Sequence, residues 1–256
     1  MGQVLVDYHI HGIGHRTNKH TAPELAKYIE QGIAQNLTEI GFADHDEYLL
    51  ELDFSSFLYL QKRYSQIRLR LGLEVDYRPG QEILLNQRLA PYQFDYLIGS
   101  IHFIGDWPFD HPAYTAGYAA WDIDELYKTY FSLVTQMVRS GQFDIVGHLD
   151  LIKVFGYRPR RSVLDLAGST LSAIQESGMT VEINTAGWYK PVGEVYPTRE
   201  LLEECFRLGI PITLSSDAHA AQDVGRDIAW AREMAWAVGY RQVAVFEKRQ
   251  RSLLPL

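Results

Sequence analysis

An amphipathic segment, a glycine and an apolar run follow one another in VLDLAGSTLSAIQESGMTVEIN (163–184), and again in TRELLEECFRLGIPITLS (198–215). The first part of each stretch repeats its apolar residues at helical spacing, and the last part is a short apolar run of strand length. Gly178 and Gly209 stand where a left-handed helix cap favours glycine. Each stretch is therefore predicted to be a helix that leads into a strand.

The same alternation continues along the rest of the chain. Strands are predicted at 3–9, 38–43, 69–75, 94–101, 143–148, 179–184 and 210–215. Helices are predicted at 22–35, 55–67, 80–90, 122–140, 163–177, 198–208 and 223–238. Seven such units without a linker indicate an α/β protein with a parallel, barrel-like sheet, in a single domain over residues 1–256. Residues 242–246 are predicted to add an edge strand or an eighth position, and 103–121 to form an irregular loop over one barrel mouth.

The charge balance limits the classes of partner. The chain has 24 basic and 32 acidic residues, which gives a formal net charge of -8. This balance argues against nucleic acid or a membrane surface as a partner, but it is compatible with a small anionic substrate held by metal ions. The single cysteine, Cys205, excludes an intrachain disulfide and fits a reducing compartment. With no signal peptide and no apolar run of membrane-spanning length, the expected location is cytoplasmic.

Seven of the nine histidines fall at or just after the carboxyl ends of predicted strands. In a parallel barrel these ends meet on one face, where barrel active sites lie. A single His-x-His pattern or a single buried glutamate is more often structural, but six strand ends that each offer a ligand favour a cluster of divalent metals. The candidate ligands are His9, His11, His15, His45, Glu74, His102, His148, Asp217 and His219.

The order of these motifs resembles the polymerase and histidinol phosphatase (PHP) superfamily over essentially the whole chain. Four further segments resemble its histidinol-phosphate phosphatase branch: FDYLIGSIHFIGDWPFDHP (94–112), GHLDLIKVFGYRP (147–159), EINTAG (182–187) and EVYP (194–197). The resemblance implies a distorted seven-stranded (β/α)7 TIM-like barrel of the PHP fold with a trinuclear metal centre. The sequence departs from the family pattern at Gly12–Asn18 and at Ala43–Glu47, which bears on substrate identity.

The resemblance also implies a division of the ligands among three divalent ions. The first ion would be held by His9, His11, Glu74 and Asp217. Glu74 would bridge to the second ion, which His102 and His148 complete. The third would be held by His15, His45 and His219. Asp7 and Asp44 are expected to orient imidazoles rather than to bind metal.

Metals on such a rim polarise phosphoryl oxygens and supply a hydroxide nucleophile at neutral pH. Asp217 is expected to orient the nucleophile or to manage its proton, and His45 and His219 are the other candidate catalytic residues. Cationic and hydroxyl side chains near the rim are candidates for binding the substrate phosphate: Arg158, Lys190, Arg199, Arg16 and Thr17. The resemblance favours Arg158 and Lys190 among them.

Three hypotheses for function follow. The first is a phosphomonoesterase that hydrolyses L-histidinol phosphate to L-histidinol and phosphate in histidine biosynthesis. The second is a phosphoesterase of the same fold that acts on a nucleotide, an oligonucleotide end or another small phosphate ester. The third, a metal-binding protein without activity, is disfavoured because structural sites are normally closed and tetrahedral. The donors suit Zn, Mn and Fe alike, and the sequence favours no oligomeric state.

Overall fold

The computed structural model describes residues 4–256, so residue 3, with which the first predicted strand begins, lies outside the described residues. The strands are β1 (Val6–Ile10), β2 (Glu39–Phe42), β3 (Arg68–Asp76), β4 (Tyr96–Ser100), β5 (Phe103–Ile104), β6 (Trp107–Pro108), β7 (Ile145–Val146), β8 (Thr180–Asn184), β9 (Ile212–Ser215), β10 (Gln242–Glu247) and β11 (Gln250–Pro255). The α-helices are α1 (Ala22–Ala34), α2 (Phe54–Arg63), α3 (Glu82–Leu89), α4 (Ile123–Arg139), α5 (Val163–Ser177), α6 (Arg199–Arg207) and α7 (Ile228–Val238).

One seven-stranded sheet runs in the order β1-β2-β3-β4-β7-β8-β9, and every neighbouring pair is parallel. Its two edges meet where Ala218 follows β9: the backbone N–H of His11 donates to Ala218 O at 2.8 Å, and Ala218 N–H donates to His9 O at 3.2 Å. The predicted barrel with seven strand–helix units is confirmed, and closure brings all strand ends to one rim.

One large aromatic ring occupies the middle of the barrel beside β2 and β3. Tyr96 is fully buried, and a Cβ atom on Gly41 would lie 2.1 Å from its hydroxyl oxygen, whereas one on Gly72 would lie 2.4 Å from its ring. Only glycine leaves room for this ring at these two positions of β2 and β3. The Tyr96 hydroxyl donates to Tyr8 O at 2.7 Å, so the buried polar group is paired. The interior is thus solid core, which leaves the rim as the place for a site.

Two predicted segments differ from the structure. Residues 242–246 neither extend the main sheet nor take an eighth place in it, because β10 pairs antiparallel with β11 in a separate hairpin. The segment 103–121 is not irregular: it contains the β5–β6 hairpin and a 3₁₀ helix, Pro112–Ala120. It does lie at the barrel mouth. No helix within residues 4–256 is both long and apolar enough to cross a membrane.

Candidate metal centre

A buried glutamate at the carboxyl end of β3 forms the centre of the rim. Glu74 is 1% exposed, and its Oε1 accepts a hydrogen bond from Ser100 Oγ at 2.6 Å. Five imidazoles have a ring nitrogen within 3.6 Å of a Glu74 oxygen: His9, His11, His45, His102 and His148. The shortest contacts are 2.9 Å to His45 Nδ1 and 3.0 Å to His148 Nε2. Four separate strand ends, those of β1, β2, β4 and β7, therefore supply groups to one carboxylate on β3.

The remaining candidate ligands lie beside this group. Asp217 Oδ1 lies 3.2 Å from His11 Nε2 and 3.5 Å from His219 Nδ1. The His219 ring has its centre 4.0 Å from that of His11 and 4.3 Å from that of His15, and His15 lies 5.8 Å from His45. All nine residues singled out from the sequence are thus brought together at the rim.

The pKa values of the rim groups are shifted in both directions. Burial alone would raise the pKa of Glu74, but the imidazoles of His9, His45 and His102 hold it well below its usual range. Burial lowers the pKa of His219 to about 4, and burial together with the neighbouring imidazoles lowers that of His11 as well. Metal ions bind ionised carboxylates and neutral imidazoles, which these directions favour at Glu74, His11 and His219. Nearby carboxylates raise the pKa values of His9, His45 and His102 against the effect of burial, and a bound metal ion would take the place of the protons there.

Several buried ring nitrogens lack a hydrogen-bond partner within residues 4–256. Those of the rim are His9 Nε2, both ring nitrogens of His11, His148 Nδ1 and His219 Nε2, and Nε2 of His20 outside the rim is another. The rim contacts at 3.2–3.6 Å bring donor atoms together without forming good hydrogen bonds. Orphaned nitrogen donors around ionised carboxylates at this spacing fit divalent cations, since an ion between them would satisfy both.

Three overlapping sets of residues have their donor atoms within 4.8 Å of one another: His9, His11 and Glu74; His45, Glu74 and His102; and His11, His45 and His219. Glu74, His11 and His45 each belong to two sets. Any of these sets could hold a metal ion, and the number of ions stays a prediction. The exact division implied by the family resemblance stays a prediction.

A second layer of carboxylates holds the imidazoles. Glu182 in β8 contacts His9 Nδ1 at 3.0 Å and accepts from the backbone N–H of His148 at 2.7 Å. Asp76 pairs with Nδ1 of His102. We did not predict either role from the sequence. The signal for Glu182 is an acidic residue in the middle of a fully buried strand, TVEIN, where a charge needs a partner.

The structure corrects the expectation for Asp7 and Asp44, whose carboxylates hold backbone rather than rim imidazoles. Asp7 accepts from Ser216 N–H and Gly225 N–H, each at 2.9 Å. Asp44 accepts from Ile13 N–H at 2.7 Å, and its Oδ2 lies 3.8 Å from Nε2 of His20, which is not a rim histidine. Both residues therefore fix the loops that carry the ligands, which is why they lie beside the motifs in sequence.

A cavity of about 340 Å³ opens directly above the rim. Its walls include His15, His45 and His102 from the rim and Phe103, Pro108, Asp110 and Pro112 from the segment 103–121. A deeper, narrower cavity of about 100 Å³ continues from it to Glu74 and His148. The cavity is of a size to hold a small ester with one end at the rim.

Five residues were predicted to bind the phosphate. In the part of the chain that the structure describes, Lys190 is the one of these five that lines the two cavities. Arg158 and Arg199 line a neighbouring cavity of about 370 Å³, where they donate to Glu194 at 2.6 Å and to Glu203 at 2.8 Å. Arg16 is exposed, with its guanidinium over the ring of Tyr48. The structure therefore brings Lys190 to the rim, and the roles of the other four, Arg158, Arg199, Arg16 and Thr17, stay predictions.

Comparison with known proteins places the chain in a family. Residues 7–186 match the model of the PHP domain. A probable histidinol-phosphatase of Deinococcus radiodurans is 35% identical over 98% of this chain and 99% of its own length. The histidinol-phosphatase of Bacillus subtilis is 29% identical over 78% of this chain and 89% of its own.

The fold agrees with a solved structure. The crystal structure of histidinol phosphate phosphatase from Lactococcus lactis, complexed with zinc, L-histidinol and phosphate, superposes with a TM-score of 0.81 at 24% identity, over 98% of this chain and 100% of that one. At 24% identity the match shows the fold alone. Together with the family match and the full-length relative, it shows that this chain belongs to the PHP domain family.

Proposed function

We propose that the chain is a metal-dependent phosphomonoesterase that hydrolyses L-histidinol phosphate to L-histidinol and inorganic phosphate, a step of histidine biosynthesis. The observation that carries the chemistry is Glu74, buried among five imidazoles beneath an open cavity. The substrate is supported by the full-length similarity to relatives named as histidinol-phosphatases. A cytoplasmic location belongs to the same proposal.

The rim would hold three divalent ions, with the ligand division that the family resemblance implies. Zinc, manganese and iron all suit nitrogen and carboxylate donors, and zinc is the metal in the Lactococcus lactis structure. When bound, such ions supply Lewis acidity toward phosphoryl oxygens and lower the pKa of water.

The chain's own residues would position the reactants around these ions. Glu182 and Asp76 hold the His9 and His102 rings in one orientation, which keeps the donor atoms in place. Lys190 lines the deep cavity, and its ammonium would neutralise phosphoryl charge. Asp217 would orient the attacking oxygen or accept its proton, with His219 beside it. His45, whose ring nitrogen is grouped with those of His11 and His219, is the other candidate catalytic residue.

The experiment that tests this function compares kcat/KM for L-histidinol phosphate, p-nitrophenyl phosphate and a set of nucleotides, with elemental analysis of the same sample. We expect a preference for L-histidinol phosphate of orders of magnitude, because the chain would use binding energy from the whole ester. Equal turnover of all three classes would instead indicate a phosphoesterase with another substrate. No turnover of any ester with metals bound would refute the enzymatic proposal.

A further inference from the structure

The segment 103–121 forms a fixed wall of the rim cavity. Phe109 is fully buried, with its ring edge-on to Tyr130 at 5.5 Å. Trp107 Nε1 donates to Tyr114 O at 3.0 Å, and the neighbouring Arg78 donates to Gly105 O at 2.9 Å. With these anchors, the residue that follows Phe109 is held at the cavity surface rather than on a loose loop.

That residue is Asp110, which lines the cavity, and its carboxylate makes no side-chain hydrogen bond or ion pair among residues 4–256. Other acids of the same cavity are paired: Asp46 with Arg88 at 2.5 Å, and Asp76 with His102. Glu47 lines the outer cavity but not the deep one. Asp110 lines both the outer cavity and the deep one that reaches Glu74. A half-buried carboxylate that is not paired in this place is available to a cation that enters the cavity.

We propose that Asp110 binds the ammonium group of the substrate's amino alcohol and so selects esters that carry a cation next to the phosphate. This inference rests on the proposed function. A carboxylate near a phosphate site repels the phosphate, and this cost is offset only when the ester brings its own positive charge. The apolar neighbours Phe103, Pro108 and Pro112 would then pack against the imidazole ring of the same substrate.

The acidic wall also discriminates against competing esters. Nucleotides carry negative charge and no ammonium near the phosphate, so Asp110 would disfavour them without any direct clash. Lys190, which lines the same cavity, would favour the phosphate end of any ester. The two charges together would thus set both the orientation and the choice of substrate.

The test compares Asp110→Asn with wild type on two alkyl esters, L-histidinol phosphate and its deamino analogue 3-(imidazol-4-yl)propyl phosphate. For L-histidinol phosphate we expect kcat/KM to fall roughly 10- to 100-fold, mostly through KM, as for loss of a charge-assisted contact. For the analogue we expect kcat/KM to change by less than about twofold, because the analogue has no ammonium group for Asp110 to bind. Asp106→Asn, an exposed acid on the same segment, is the matched control and should match wild type on both esters.

Other outcomes would overturn the proposal. An equal loss on both esters would show that Asp110 acts on the leaving group or on the metals, and loss of bound metal would separate these two roles. No loss on either ester would show that it makes no substrate contact. Asp110→Ser provides a second variant, and thermal unfolding confirms that each variant is folded. Failure of the proposed function itself would appear in wild type, as an absence of preference for L-histidinol phosphate.

Discussion

Two buried glutamates on neighbouring strands have opposite surroundings. Glu39, at the start of β2, is 0% exposed, and Glu74, near the end of β3, is 1% exposed. Glu39 accepts from Arg68 Nε at 2.6 Å and from Arg70 Nε at 2.8 Å, and the Tyr8 hydroxyl donates to it as well. Glu74 has one hydroxyl donor and otherwise faces imidazoles. The two carboxylates are equally buried, so the difference between them lies in the groups that they contact.

The difference lies in whether the partners are permanent cations. Guanidinium groups stay charged at every physiological pH and satisfy a carboxylate without help. Imidazoles are neutral or charged according to their surroundings, and several around Glu74 have orphaned nitrogens. A carboxylate that is fully paired inside the chain stabilises the fold, whereas one that is surrounded by titratable donors is suited to hold metal.

The largest effect should come from Glu74→Gln. The amide keeps the volume but removes the charge that would neutralise the ions, so we expect loss of bound metal and of activity by about 10³-fold or more. Elemental analysis and kcat/KM on the same preparation measure both. A variant with full metal content and wild-type activity would contradict the central place of Glu74.

Glu39→Gln is the matched change at the other glutamate. Two guanidiniums would lose their buried counter-charge, so we expect the free energy of unfolding to fall by roughly 3–5 kcal/mol, as measured by urea denaturation. Metal content and kcat/KM of the folded protein should stay within a few-fold of wild type. If activity fell as far as in Glu74→Gln, the assignment of a structural role to Glu39 and a metal-binding role to Glu74 would be wrong.

Glu182→Gln tests the layer behind the metal ligands. It weakens the contact that orients His9 and the one to the His148 backbone, while every proposed ligand stays in place. We expect a loss of about 10- to 100-fold in metal affinity or activity, between the effects at Glu74 and Glu39. Metal affinity is measured by titration with a competing chelator, and an unchanged affinity together with unchanged activity would remove Glu182 from the site.

The smallest effect concerns a histidine outside the centre. His20 is buried, Asp53 N–H donates to its Nδ1 at 2.9 Å, and burial lowers its pKa from 6.5 to about 4. A lowered folded-state pKa means that its contribution to stability is present above pH 6.5 and is lost as pH falls toward 4. Relative to His20→Gln, wild type should lose stability with a slope of up to about 1.4 kcal/mol per pH unit in that window.

Urea denaturation of both proteins between pH 7 and 4 measures that difference. Parallel pH profiles would show that His20 does not titrate on unfolding. Activity at neutral pH should change little in His20→Gln, in contrast to changes at the rim histidines.

The strand order and the rim were predictable because parallel strands place their carboxyl ends together, so His9, Glu74 and Asp217 could be assigned to one face from sequence alone. The supporting carboxylates were less visible. Glu182 and Glu39 are both acids within apolar strands, and only the fold shows which of them meets an imidazole and which meets arginines.

The cationic side chains illustrate the same limit. Arg158 follows β7 and Lys190 follows β8, so both were expected near the phosphate, yet only Lys190 lines the rim cavity. The partner of a long side chain depends on which groups the fold brings within its reach, and Arg158 donates to Glu194. Such choices depend on loop paths that hydrophobic periodicity does not describe.

The most direct test of the account follows kcat/KM for L-histidinol phosphate while metal is removed from wild type with a chelator and then restored. We predict that activity falls with metal content, that it returns on addition of Zn, Mn or Fe, and that the restored protein holds up to three ions. Full activity in protein from which all divalent metal has been removed would contradict the account.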